Sequence, residues 1–133
     1  MLDKSVIELS KMQLDEAQEI ITFIPAYINI GDYNGAISRA YYAAFHALKA
    51  LEVLEGYDSK KHSGVISHFR QKYIKTGKID AEMSKVIGRL QEARGASDYD
   101  VAMRFQLIDA QEALDNAKTF VGEIEKYIKS VIE

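Results

Sequence analysis

The sequence predicts an all-α protein, an antiparallel bundle of four to five helices. Three observations carry this. Apolar residues recur three and four apart in segment after segment, the spacing of one helix face. No stretch alternates apolar and polar residues as a half-buried strand does. One proline and eight glycines in 133 residues, the glycines mostly near segment ends, leave little to interrupt long helices.

The first periodic segment runs from about Asp3 to Ile30, with Leu9, Met12, Ala17, Ile20, Ile21, Ile24 and Ile28 as its inward stripe. Pro25 lies inside it and has no N–H for the carbonyl of residue 21, which predicts a kink or a break there. The turn "GDYNG" comes next, with Asp32 placed to cap the second helix.

That helix, Tyr33 to Glu55, contains "SRAYYAAFHALKAL" and shows no wet side until Lys49. One seam is Ile37, Ala40, Tyr41, Ala44, Leu48 and Leu51, and a second face carries Tyr42 and Phe45. A surface helix buries one stripe only, so this one is expected to be surrounded by its own domain or by a second copy. Gly56 stops it.

A third helix is expected over Lys61–Lys75, burying Val65, Ile66, Phe69 and Tyr73, with Gly77 as its stop. Asp80 can cap a fourth whose inner face is Met83, Val86, Ile87 and Leu90, interrupted at Gly95. "GASDYDVAMRFQLI" lacks a sustained period and reads as irregular or as a short turn of helix. Asp109 with Glu112 resembles a capping box, and Ala113, Ala117, Phe120, Val121, Ile124, Ile128 and Val131 form the last stripe.

Composition limits function. Apolar residues at 47% and charged ones at 28% fit a globular chain of one domain, residues 1–133. No run of about 18 apolar residues spans a membrane, and "MLDKSVIELS" is not a secretion signal; a cytoplasmic location is expected. Zero cysteines exclude thiolate chemistry and disulfides. Neither GxGxxG, GxxxxGK, GxSxG nor HExxH occurs, and His62 and His68 are six apart, a poor same-face spacing, so no cofactor and no metal are expected.

Three groups of residues can carry chemistry. Arg39 and His46 lie two turns apart on one helix face with Tyr42 between them, able to hold a phosphate or base, or equally to serve as a paired arginine and a core histidine. Residues 59–79 hold six basic residues and no acid against a net charge of −3 overall. Within them Lys61, His68, Lys72 and Lys75 share one helix face, either an anion or nucleic-acid surface or a solvated one. The stretch "RGASDYD" gathers Arg94, Ser97, Asp98 and Tyr99 at a helix end, where they can cap or build a site.

Taken together, Gly31–Leu51, "KHSGVISHF", "KTG" and the R-x-x-S-D-Y of Arg94–Tyr99 resemble the HEPN domain, closest to its small stand-alone prokaryotic members and over essentially the whole chain. The resemblance implies an antiparallel helical bundle that dimerises and a role in toxin–antitoxin or defence systems, often beside a minimal nucleotidyltransferase. It also implies, for many members, metal-independent ribonuclease activity from an arginine followed after four to six residues by a histidine. Arg94 matches that arginine, but the positions after that gap are Tyr99, Asp100 and Val101, so the histidine is absent. Cleavage loses its proton shuttle, and binding of RNA or a nucleotide survives better. The expected function is therefore a non-catalytic module binding nucleotide, RNA or a nucleotidyltransferase. The alternatives are a ribonuclease toxin using Arg94 with Tyr99 or His46, and a ligand-free dimeric scaffold. A homodimer is expected, its interface drawn from the second helix and residues 94–105.

Overall fold

The computed structural model describes residues 2–57, 62–99 and 104–133, of which residues 62, 63, 98 and 99 are described in backbone only. Five α-helices form the bundle: α1 Lys4–Asn29, α2 Tyr33–Glu55, α3 His62–Phe69, α4 Glu82–Tyr99 and α5 Leu107–Ile132. No strand occurs among the described residues.

Local chemistry sets most boundaries where the sequence placed them. Asp3 accepts from the Ser5 N–H at 2.8 Å to open α1, and Asp32 accepts from the Gly35 N–H at 2.8 Å to open α2. Gly35 makes the second cap possible, because a Cβ there would lie 2.3 Å from the Asp32 carboxylate. Gly56 closes α2 in the left-handed conformation, φ 70°. The Glu82 N–H donates to Asp80 at the head of α4.

α2 is the central helix and packs against α1, α3, α4 and α5. Its seam is buried as expected, and so are Ala36, Ala43, Ala47 and Ala50 on its other sides. Small residues all round let neighbouring helices approach closely, which is why the segment has no wet face. The half-buried Lys49 pairs with the buried Glu52 at 3.2 Å.

α1 and α2 run antiparallel: the buried Ser10 hydroxyl donates to the Ala50 carbonyl at 2.9 Å, and Gln13 meets His46 one turn further on. α4 runs antiparallel to α2 as well, its end tied to the start of α2 by Asn34 and Ser97.

Several boundaries and faces differ from expectation. Of the kink or break expected at Pro25, the break does not occur: α1 continues through it, held on the core by Ile24 before it and by Tyr27 and Ile28 after it. Leu9 and Met12 are not inward but 52% and 65% exposed, because the buried stripe runs through Ser10, Leu14 and Ala17; Val131 is 45% exposed at the other end of the chain. α4 continues through Gly95 to Tyr99. A helical glycine costs only about 1 kcal/mol, less than the packing of α4 on α2 and α5 returns. The last helix begins at Leu107 and not at Asp109, whose Oδ2 instead accepts from the Gln106 N–H at 2.8 Å. Past Phe69 the third helix widens into a π-helical turn, Arg70–Ile74, where the Lys75 N–H reaches the Arg70 carbonyl. The wider turn rotates the chain beyond Phe69, so that Tyr73 is buried against Phe69 and Tyr127.

Candidate functional site

The α2–α4 contact brings together the residues most able to hold an anion. Ala93 and Ala96 of α4 are small, and Arg94 between them reaches over the aromatic side of α2. Its Nη2 donates to the Tyr42 hydroxyl at 2.9 Å, and its guanidinium carbon stands 5.2 Å from the ring centroids of both Tyr41 and Tyr42. Such cation–π contacts and the charged hydrogen bond fix the plane of the fork. The two rings meet edge to face at 5.5 Å, and Phe45 stacks on Tyr41 at 6.4 Å. Burial pushes the Tyr41 phenol up, and the Arg94 charge beside it pulls the other way.

Ser97 has a structural task. Its hydroxyl donates to the Asn34 carbonyl at 3.2 Å, while Asn34 Nδ2 donates to the Ser97 carbonyl at 3.4 Å. This reciprocal clamp holds the end of α4, and so Arg94, against α2. Asn34 was not legible as a partner, since nothing in "DYNGA" marks it. The side chains of Asp98 and Tyr99 lie outside the described residues, as does Lys61.

His46 stands beside α1, where Nδ1 meets Gln13 Oε1 at 2.8 Å. With that oxygen accepting, Nδ1 carries the proton. Burial holds the imidazole below its usual 6.5; Glu16 opposes this and the positive charge of Arg39 adds to it. Arg39 and His46 are thus near enough to feel each other, yet His46 is committed to Gln13. Phe45 meets its ring edge-on at 6.1 Å.

The basic segment divides. His68 Nε2 meets Glu55 Oε2 at 2.6 Å and its ring stacks on Tyr57 at 4.1 Å. Arg70 turns inward to Ser84, with Nε 3.0 Å from the hydroxyl and Nη2 3.2 Å from the carbonyl. Lys72 and Lys75 are exposed. Glu55, which after burial is what pushes the Tyr73 phenol up, was the missed residue here; an acid closing α2 next to a run of bases was the available signal. From Tyr42 to Glu55 is about 20 Å along α2, so the two lysines and Arg94 do not form one patch.

A groove of 320 Å³ opens between α4 and α5, floored by Ile37, Leu90 and Phe105. Glu92, Asp109 and Glu112 at its rim against the single Arg89 make it unsuited to phosphate. Among the described residues no three His, Asp or Glu side chains come together as a metal site, and no helix is long and apolar enough to cross a membrane.

Known proteins align with this chain over most of its length. The family model of the HEPN domain matches residues 11–130. A Methanocaldococcus jannaschii protein named "Putative toxin" is 31% identical, the match covering 92% of this chain and 83% of the relative. A second protein of that organism with the same name is 28% identical over 99% of this chain and 98% of the relative. A "UPF0332 protein" of Thermotoga maritima is 34% identical over 74% of each chain. The five-helix bundle and the matched residues agree, and the chain belongs to the HEPN family.

Proposed function

We propose that residues 1–133 act as one HEPN module of a toxin–antitoxin or defence pair in the cytoplasm, binding RNA or a nucleotide phosphate at the Arg94 face without cutting it. The observation that carries this reading is the preset guanidinium. Arg94 is oriented by the Tyr42 hydroxyl and two ring faces, and an always-charged planar fork suits a phosphate.

The two histidines whose side chains are described, His46 and His68, each have another partner, which argues against their serving as the proton shuttle that cleavage requires. His46 is engaged with Gln13 of α1, and His68 with Glu55, more than three turns along α2 from Tyr42. The names of the Methanocaldococcus relatives favour the toxin–antitoxin setting. In that setting the chain pairs with a second copy through the Tyr42 and Phe45 side of α2, and works beside a minimal nucleotidyltransferase.

Fluorescence anisotropy with labelled single-stranded RNA tests the site. Binding should weaken steeply with salt and fall about tenfold in Arg94→Lys, which keeps the charge but loses the fork. Salt-independent binding, or full affinity in both Arg94→Lys and Arg94→Ala, would contradict it.

A further inference from the structure

Four large apolar side chains of α1 are left open: Leu9 52%, Met12 65%, Phe23 56% and Ile30, just past its end, 79% exposed. Single exposed apolar residues are ordinary, but apolar residues repeated at seam spacing mark a helix-pairing surface. These four lie on one line, as two apolar ends parted by the exposed Glu16 and Glu19. Leu9, Met12, Glu16, Glu19, Phe23, Ala26 and Ile30 succeed one another in alternating steps of three and four, the spacing of a seam between paired helices. The line is about 31 Å long at 1.5 Å per residue. It runs beside the inward stripe of Ser10, Leu14, Ala17, Ile21 and Ile24 without sharing a residue with it. Near its start, His46 and Val53 of α2 wall a groove of 260 Å³ against Leu9 and Met12, so a side chain from outside has somewhere to seat.

Charge selects the occupant. Glu19 holds the central position of the line and Glu16 the one before it, both exposed. A parallel second copy sets each glutamate against its own image. An antiparallel copy sets Glu19 against Glu19 and Glu16 against Phe23. Both arrangements bury or crowd like charges, which disfavours self-pairing. We infer that this stripe receives an amphipathic helix of a different protein, apolar at both ends of its contact seam and carrying Lys or Arg at the centre. The site uses neither Arg94 nor RNA and stands apart from the proposed function.

The probe is a synthetic helix of about 25 residues, long enough for the seam, with leucines at its outer seam positions and lysines at the central ones. A twin peptide has glutamates there. In calorimetric titration of the full chain the lysine peptide should bind at least about tenfold tighter than its twin. The Glu16→Lys, Glu19→Lys double variant should reverse that order. Met12→Asp combined with Phe23→Asp should abolish binding of the lysine peptide with unchanged helical circular dichroism, since both positions are exposed. Equal binding of the two peptides, or none of the lysine peptide, overturns the inference. So does self-association of the wild type that Met12→Asp with Phe23→Asp removes, because a second copy would then be the occupant.

Discussion

The Tyr42 hydroxyl accepts a hydrogen bond from Arg94 Nη2 at 2.9 Å, on the same ring that the guanidinium overlies at 5.2 Å. One tyrosine therefore both anchors and stacks the arginine. Tyr42→Phe keeps the stacking and removes the acceptor. It should lower stability by about 1 kcal/mol, seen as a lower urea midpoint at unchanged slope, and should weaken RNA binding less than Arg94→Lys does.

The Asn34–Ser97 pair makes a separate prediction. Asn34→Ala and Ser97→Ala should each cost about 1 kcal/mol in urea unfolding, and the double variant less than the two added together, because both remove the same clamp. Strict additivity would mean that the two hydrogen bonds do not act as a unit.

How much of the structure the sequence disclosed depends on which forces are local. Caps at Asp32 and Asp80, the stop at Gly56, the seam of α2 and that of α5 as far as Ile128 rest on neighbours in sequence, and the structure has them. Gly95 misled because tertiary packing overrode its local preference, and α1 continues past Pro25. Leu9 and Met12 misled for a different reason: α1 carries two periodic stripes one residue apart, and hydrophobicity favours the wrong one where Ser10 is the buried member. Arg94 was visible as a candidate, but its tie to Tyr42 spans 52 residues and Asn34–Ser97 spans 63, pairings that no spacing rule reveals.

Protonation of His46 should be felt as a loss of stability. Its imidazole is held below 6.5 in the folded chain, first by burial, so the unfolded chain binds the proton more readily. The stabilising contribution is complete above 6.5 and declines as pH falls from there through the folded-state value. The urea midpoint of the wild type should drop over that range relative to His46→Gln, which has no such proton to take up. Parallel pH profiles for the two proteins would contradict the assignment.

A second copy on the Tyr42 and Phe45 side of α2 predicts a mass near twice 15.0 kDa by light scattering at micromolar concentration. Phe45→Lys should return the monomer by placing a charge in that interface. A 15.0 kDa species alone, for the wild type, would count against pairing.

The most direct measurement of the central claim is incubation of the purified chain with single-stranded RNA in excess chelator, alongside Arg94→Ala and His46→Ala. The expected result is intact RNA in every lane, retained by the wild type at low salt and released by Arg94→Ala. RNA cut by the wild type and spared by Arg94→Ala would contradict non-catalytic binding, and its sparing by His46→Ala as well would identify that histidine as the missing proton shuttle.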